Sequence, residues 1–420
     1  MIVPKSPSAV LDSSMVTVAT TRRGGRYMHA RVRHNAVWTL GLGLALLLLS
    51  GPTALAEQPS THTSPLEPGQ GADLAVRTPD EYAWRLFADI SQSAGNGSND
   101  TVWETWADQS QLYTNDPSHT PVWPDSSHRP KELGPSLQHV LAGLPAGGPG
   151  QPNGDDSPPG QDDVHIDRAT FDYVVANQIW SMQGLTTFVQ HTKVKFPVDS
   201  VAVKARWLVI KPSDEPRYHW QTYHNPNTNK DEIVGLVALH IASKVLPNWA
   251  WATFEHVDNP GRCDFMGCHD LFGQIPADVA PHNKEGQQYP PEILTPALHD
   301  LFSAAGLGPE WQNYRLKGAQ VDFTTTTGQP ILLGNSVTEA GFVATSSCMT
   351  CHARATVDTQ GGGLPIFLPS PPLTGAVGTP DPSWFPVDDQ GTSLYYQTDF
   401  LWELPLITTI ADQSKSPESN

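Results

Sequence analysis

Val201-Ala202-Val203-Lys204-Ala205-Arg206-Trp207-Leu208-Val209 alternates along its length and sets Lys204 and Arg206 on one face. A period of two marks a strand whose faces meet different surroundings. Two more strand-like runs follow. Ile233 to Ala242 is nearly all apolar, and Trp249 to Val257 places Trp249 and Trp251 on one side. The short link Lys244-Val245-Leu246-Pro247-Asn248 between them predicts an antiparallel pair. These runs predict an α+β fold with a β-rich central core and surrounding helices.

Working outward, Phe171, Val174, Val175, Gln178, Ile179 and Met182 follow a 3.6-residue spacing, which predicts a helix from about Ala169. Thr78-Pro79-Asp80-Glu81 is a helix start, backed by Tyr82, Trp84, Phe87 and Ile90. Thr295 to Ala305 is expected to be a helix ended by Gly306, and Thr338 to Ala355 to begin as one. Proline is abundant, 39 in 420 residues, so much of the chain is expected to be loop. Runs such as Gly147-Gly148-Pro149-Gly150 and Ser157-Pro158-Pro159-Gly160 predict a long Pro/Gly-rich loop or linker over 117–163. Residues 57–116 form the first ordered segment of the main domain, behind a polar leader reaching about Val76. The main domain occupies 164–410, and 411–420 is expected to be a disordered tail.

Residues 1–56 have the pattern of an export signal. Arg22, Arg23, Arg26, Arg31 and Arg33 precede an apolar run from Val37 to Leu49, and Ala54-Leu55-Ala56 supplies small residues for cleavage before Glu57. The run is 13 residues, short of the ~20 that span a bilayer. The expectation is therefore a periplasmic or secreted protein with no membrane span once the signal is cut; an uncleaved anchor is the alternative. The mature chain would carry 19 basic and 42 acidic residues, a net charge near −23. That disfavours nucleic acid as a partner and permits docking to a basic redox protein.

The four cysteines form two close pairs, each followed directly by histidine. Cys348-Met349-Thr350-Cys351-His352 is a Cys-x-x-Cys-His motif, which in an exported chain predicts covalent haem c. Two thiols on one helical turn can each bond a vinyl carbon on one porphyrin edge, and His352 can reach the iron from the proximal side. A redox dithiol and half of a zinc site are the competing readings. Cys263 and Cys268, with His269, are spaced by four residues. They fit a local disulfide, a second haem, or zinc shared with the first pair. One haem is therefore expected, with two as the open alternative.

The 68 residues after His352 contain neither Met nor His, so a distal iron ligand must come from upstream or be absent. His256 ranks first because Glu255 and Asp258 flank it and a carboxylate can orient an imidazole. His240 ranks second, with Met182, Met266 and His269 behind.

The blocks Trp103-Glu104-Thr105-Trp106, Val203-Lys204-Ala205-Arg206-Trp207 and Gly235-Leu236-Val237-Ala238-Leu239-His240-Ile241 span most of the mature chain together with three others. These are Trp249 to Asn259, Ser347 to His352, and Asp399-Phe400-Leu401-Trp402. In these residues the chain resembles a family of large bacterial exported cytochrome c-like proteins. The resemblance implies attached haem c and electron transfer. A haem c-dependent oxidoreductase or peroxidase with an open distal iron site is the alternative, suggested by the size of the chain around one haem.

Overall fold

In the computed structural model the described residues are 71–95, 97–125, 134–135, 161–225, 229–368 and 374–414. The expected signal at 1–56 and most of the 117–163 loop lie outside them. The described residues all belong to one compact unit.

An eight-stranded sheet forms the centre. Its first seven strands are β1 (Ala107–Asp108), β2 (Gly134–Pro135), β3 (Gln161–Ile166), β4 (Val201–Val209), β5 (Trp220–Asn225), β6 (Lys230–Ser243) and β7 (Ala250–His256). Three pairs of two-residue strands stand apart: β8 (Cys268–His269) with β10 (Asp278–Val279), β9 (Gln274–Ile275) with β11 (Ile293–Leu294), and β13 (Thr356–Val357) with β14 (Tyr396–Gln397). The eighth strand of the main sheet is β12 (Tyr314–Gln320). The main order is β1-β3-β4-β6-β7-β12; β2 adds to β3, and β5 to the first half of β6. All pairings in this sheet are antiparallel, including the expected β6–β7 pair.

Alternation divides the sheet into two faces. Val203, Ala205, Trp207, Leu239, Ile241, Phe254 and Leu316 pack against the helices Pro79–Ile90 and Pro296–Ala304. Ala202, Ala242 and Trp251 face the other way, toward the helices Arg168–Ala176, Met182–Val189 and Ile407–Ser414. A register shift between Arg206 and Trp207 lets Leu236 and Leu239 both reach the first core.

Several expectations are corrected. The helix expected from Ala169 to Met182 is two helices, because Gln178 turns left-handed at φ 58°. Ser181 opens the second by accepting the Gly184 N–H at 3.1 Å. Thr78 occupies a cap position without capping; its hydroxyl turns back to the Leu74 carbonyl at 3.4 Å. The leader to Val76 contains a helix, Gly71–Arg77, and the final helix runs four residues into the expected tail. Strand β3 begins inside the region assigned to loop. Thr338 starts no long helix: Asn335 ties the Val337 and Thr338 amides at 2.9 and 3.3 Å, and Gly341 takes φ +88°. The stretch holds a single 3-10 turn at Val343–Thr345 and then the short α-helix Cys348–His352.

Candidate functional site

The second face of the sheet carries charge in its middle. Lys204 on β4 pairs with His240 on β6, which pairs with Thr253 on β7. Beside this row lie Glu255 and Lys317, both fully buried, 3.4 Å apart. Their attraction alone does not offset removal from water, and Glu255 is satisfied further. Its carboxylate accepts the Ser336 N–H at 2.8 Å, the Ser336 hydroxyl, and the Asn259 side-chain amide at 3.1 Å. Asn335 donates to the Thr253 hydroxyl at 3.1 Å. The loop that precedes the motif is thereby pinned across the sheet.

That loop delivers Glu339 to within 3.6 Å of His240 Nε2. Burial pushes the Glu339 carboxyl up to about 7, against the pull of Lys204 and Lys317. Burial also pulls His240 down to about 3, with Lys204 adding to the effect. His240 therefore stays a neutral imidazole, and its buried Nε2 has no hydrogen-bond partner among the described residues. A buried ring nitrogen left unmatched is costly.

The Cys348–His352 turn lies against this face. Gln320, the last residue of β12, holds its start. The Gln320 amide exchanges hydrogen bonds with the Ser347 hydroxyl at 2.9 and 3.3 Å, and its oxygen accepts the Met349 N–H at 3.1 Å. Thr350 anchors the middle by donating to the Gly378 carbonyl at 2.6 Å. Met349 is fully buried among apolar neighbours and packs the turn onto the core. Cys348 and Cys351 are free thiols. Burial raises both: Cys348 well above its ordinary value, and Cys351 to about 11, where Glu339 adds and Arg354 and the Trp402 indole work against it.

His352 is held firmly. Its Nδ1 donates to the Phe400 carbonyl at 2.7 Å, and the Trp251 ring lies 4.3 Å away, centroid to centroid. A carbonyl can only accept, so the proton sits on Nδ1 and Nε2 presents its lone pair. Burial lowers His352 to about 4, and His240 is near enough to contribute. Both histidines are thus in the neutral form that binds metal.

Sequence-expected residues fall into three groups. Cys348, Cys351 and His352 share one turn, and His240 lies near enough for its charge to act on His352. His256 does not: it shares the opposite face with Phe254 and stacks on Tyr218 at 3.7 Å. Its Nε2 bonds to the Arg217 carbonyl at 3.0 Å and its Nδ1 accepts the Asp258 N–H at 3.2 Å. With both ring nitrogens engaged, His256 is corrected from candidate ligand to structural residue. Cys263 and Cys268 are joined in a disulfide, which removes the second haem and the shared zinc site. His269 points to Asp278 and is half exposed. Met266 lies inside the disulfide loop, and Met182 packs at Gly361. Sequence reasoning does not reach Glu339, Gln320 or Lys317, and takes Glu255 only as a partner of His256. Only Lys204 carried a signal, through its alternation in β4.

The donor set fits a c-type haem. Two neutral thiols share one turn, one imidazole offers a lone pair, and a second imidazole has an unmatched nitrogen. A nucleophilic dithiol fits less well, since both thiols are held far from the thiolate form. No family model, no curated protein and no solved structure matches the chain.

Proposed function

We propose that this chain is an exported electron-transfer protein carrying one haem c, bound through Cys348 and Cys351 with His352 as the proximal iron ligand. The reading is supported most by one arrangement. The free thiols and the Nε2 of His352 belong to a single anchored turn, and His240, with its unmatched nitrogen, stands close by. The haem, when bound, supplies a one-electron ferrous–ferric couple. The chain fixes the His352 tautomer through Phe400, keeps both imidazoles neutral, and sets Trp251 against His352 and Trp402 beside Cys351. His240 is the proposed distal ligand. A basic redox protein is the proposed partner, in keeping with the acidic charge of the mature chain.

One observation favours the second reading, a haem c-dependent oxidoreductase or peroxidase. The Glu339 carboxyl beside His240, pushed up to about 7, makes an acid–base pair suited to proton transfer if His240 stays off the iron. Optical spectra of the purified holoprotein separate the two. The carrier gives low-spin iron unmoved by carbon monoxide or cyanide, and His240→Ala converts it to high-spin iron that binds both. High-spin, ligand-binding iron in the unaltered protein supports the oxidoreductase instead.

A further inference from the structure

The carbonyl that receives His352 comes from an unusual piece of backbone. Asp399 and Phe400 are consecutive non-glycine residues with φ 51° and 75°. Left-handed backbone is uncommon for a bulky side chain such as phenylalanine and is retained where the surroundings enforce it. Here the enforcement is visible. One Asp399 carboxylate oxygen accepts Lys244 Nζ at 2.6 Å and the other accepts the Phe196 N–H at 2.8 Å. Lys244 is itself tied to the Pro247 carbonyl at 2.7 Å, in the link between β6 and β7. The turn is therefore bolted to the sheet immediately beside Trp251, the ring that lies against His352.

We infer that Asp399 is a positioning residue for the iron site: clamped by Lys244 and the Phe196 amide, it holds the left-handed turn that aims the Phe400 carbonyl at His352 Nδ1. The inference rests on the haem reading for its consequence at the iron, but the tautomer of His352 is a property of the chain alone. With Nδ1–H donated to a carbonyl, the ring is a stronger electron donor through Nε2 and favours ferric iron. Loss of the bond raises the reduction potential.

Two variants of the full chain test this. Asp399→Ala removes both tethers and the side chain. Asp399→Asn removes the same charge but keeps a residue at ease in left-handed backbone. In protein made without haem, ¹⁵N NMR of His352 is expected to show the Nδ1–H tautomer in the parent chain and in Asp399→Asn, and a mixture in Asp399→Ala. In the holoprotein, Asp399→Ala is expected to shift the equilibrium with a reference couple about tenfold toward the ferrous form, which is about 59 mV for one electron. Asp399→Asn is expected to shift it much less. Equal shifts in the two variants would assign the effect to charge and overturn the inference. So would an Nε2–H tautomer in the parent chain, a measurement that stands even if Asp399→Ala does not fold. Absence of haem from the parent chain would instead overturn the reading of the site and leave the tautomer result intact.

Discussion

At the scale of single residues, the site depends on charges buried under it. Glu255 and Lys317 are both inaccessible, and Glu255 also holds Ser336 at the head of the loop that leads to Glu339 and the motif. Replacing Lys317 with Met leaves a carboxylate buried without its cation. The expected cost is about 3–5 kcal/mol of unfolding free energy, read from denaturant melts. Little of this was open to sequence reading. A lone Lys in Tyr314-Arg315-Leu316-Lys317 resembles a solvated residue until Glu255 is placed opposite it. His256 misled for a related reason. Its acidic neighbours looked like ligand-orienting partners, but strand parity puts it with Phe254, away from Thr253 and the motif. His240 has the opposite parity, and that alone brings it to the site.

At the scale of elements, β4, β6 and β7 were readable because alternation and continuous apolar runs survive without knowledge of partners. Strands β3 and β12 were not, because each carries charges that the fold neutralises internally. Asp162 of β3 meets Arg206 at 2.8 Å and Lys204 at 3.2 Å on β4, and Arg315 of β12 meets Glu292 at 3.5 Å. Just after β3, Asp167 caps the helix Arg168–Ala176 by accepting the Thr170 N–H at 2.9 Å. Burial raises its carboxyl from 3.8 to about 6. Because the folded value is the higher one, the protonated form stabilises the fold. That contribution is complete below pH 3.8 and is lost as pH rises through about 6. The change is worth about 3 kcal/mol, at ~1.4 kcal/mol per unit. Asparagine caps equally well, so Asp167→Asn is expected to remove this slope from unfolding titrations between pH 4 and 7 while keeping the helix. The disulfide makes a separate prediction. A Cys263–Cys268 bridge closes a short loop, so the paired Ser variant is expected to lose about 2 kcal/mol. Its haem content is expected to be unchanged; a halved content would restore the second haem.

At the scale of the whole molecule, the two sheet faces divide the work. One is an apolar core under two helices. The other carries a row of charge that ends at Cys348, Cys351 and His352, where buried groups are left with chemistry unspent. The composition points to a chain rich in loop, and the motif marks the candidate site. What joined them, the pinned 335–347 loop and the Asp399–Phe400 turn, is tertiary and has no sequence period. Covalent haem at Cys348 and Cys351 is best tested by intact mass of the protein matured in a host that ligates haem, read beside its pyridine haemochrome spectrum. The expected result is a coloured protein heavier than the processed chain by one haem, with the added mass lost in the Cys348→Ser, Cys351→Ser variant. A colourless protein with the mass of the bare chain would contradict it.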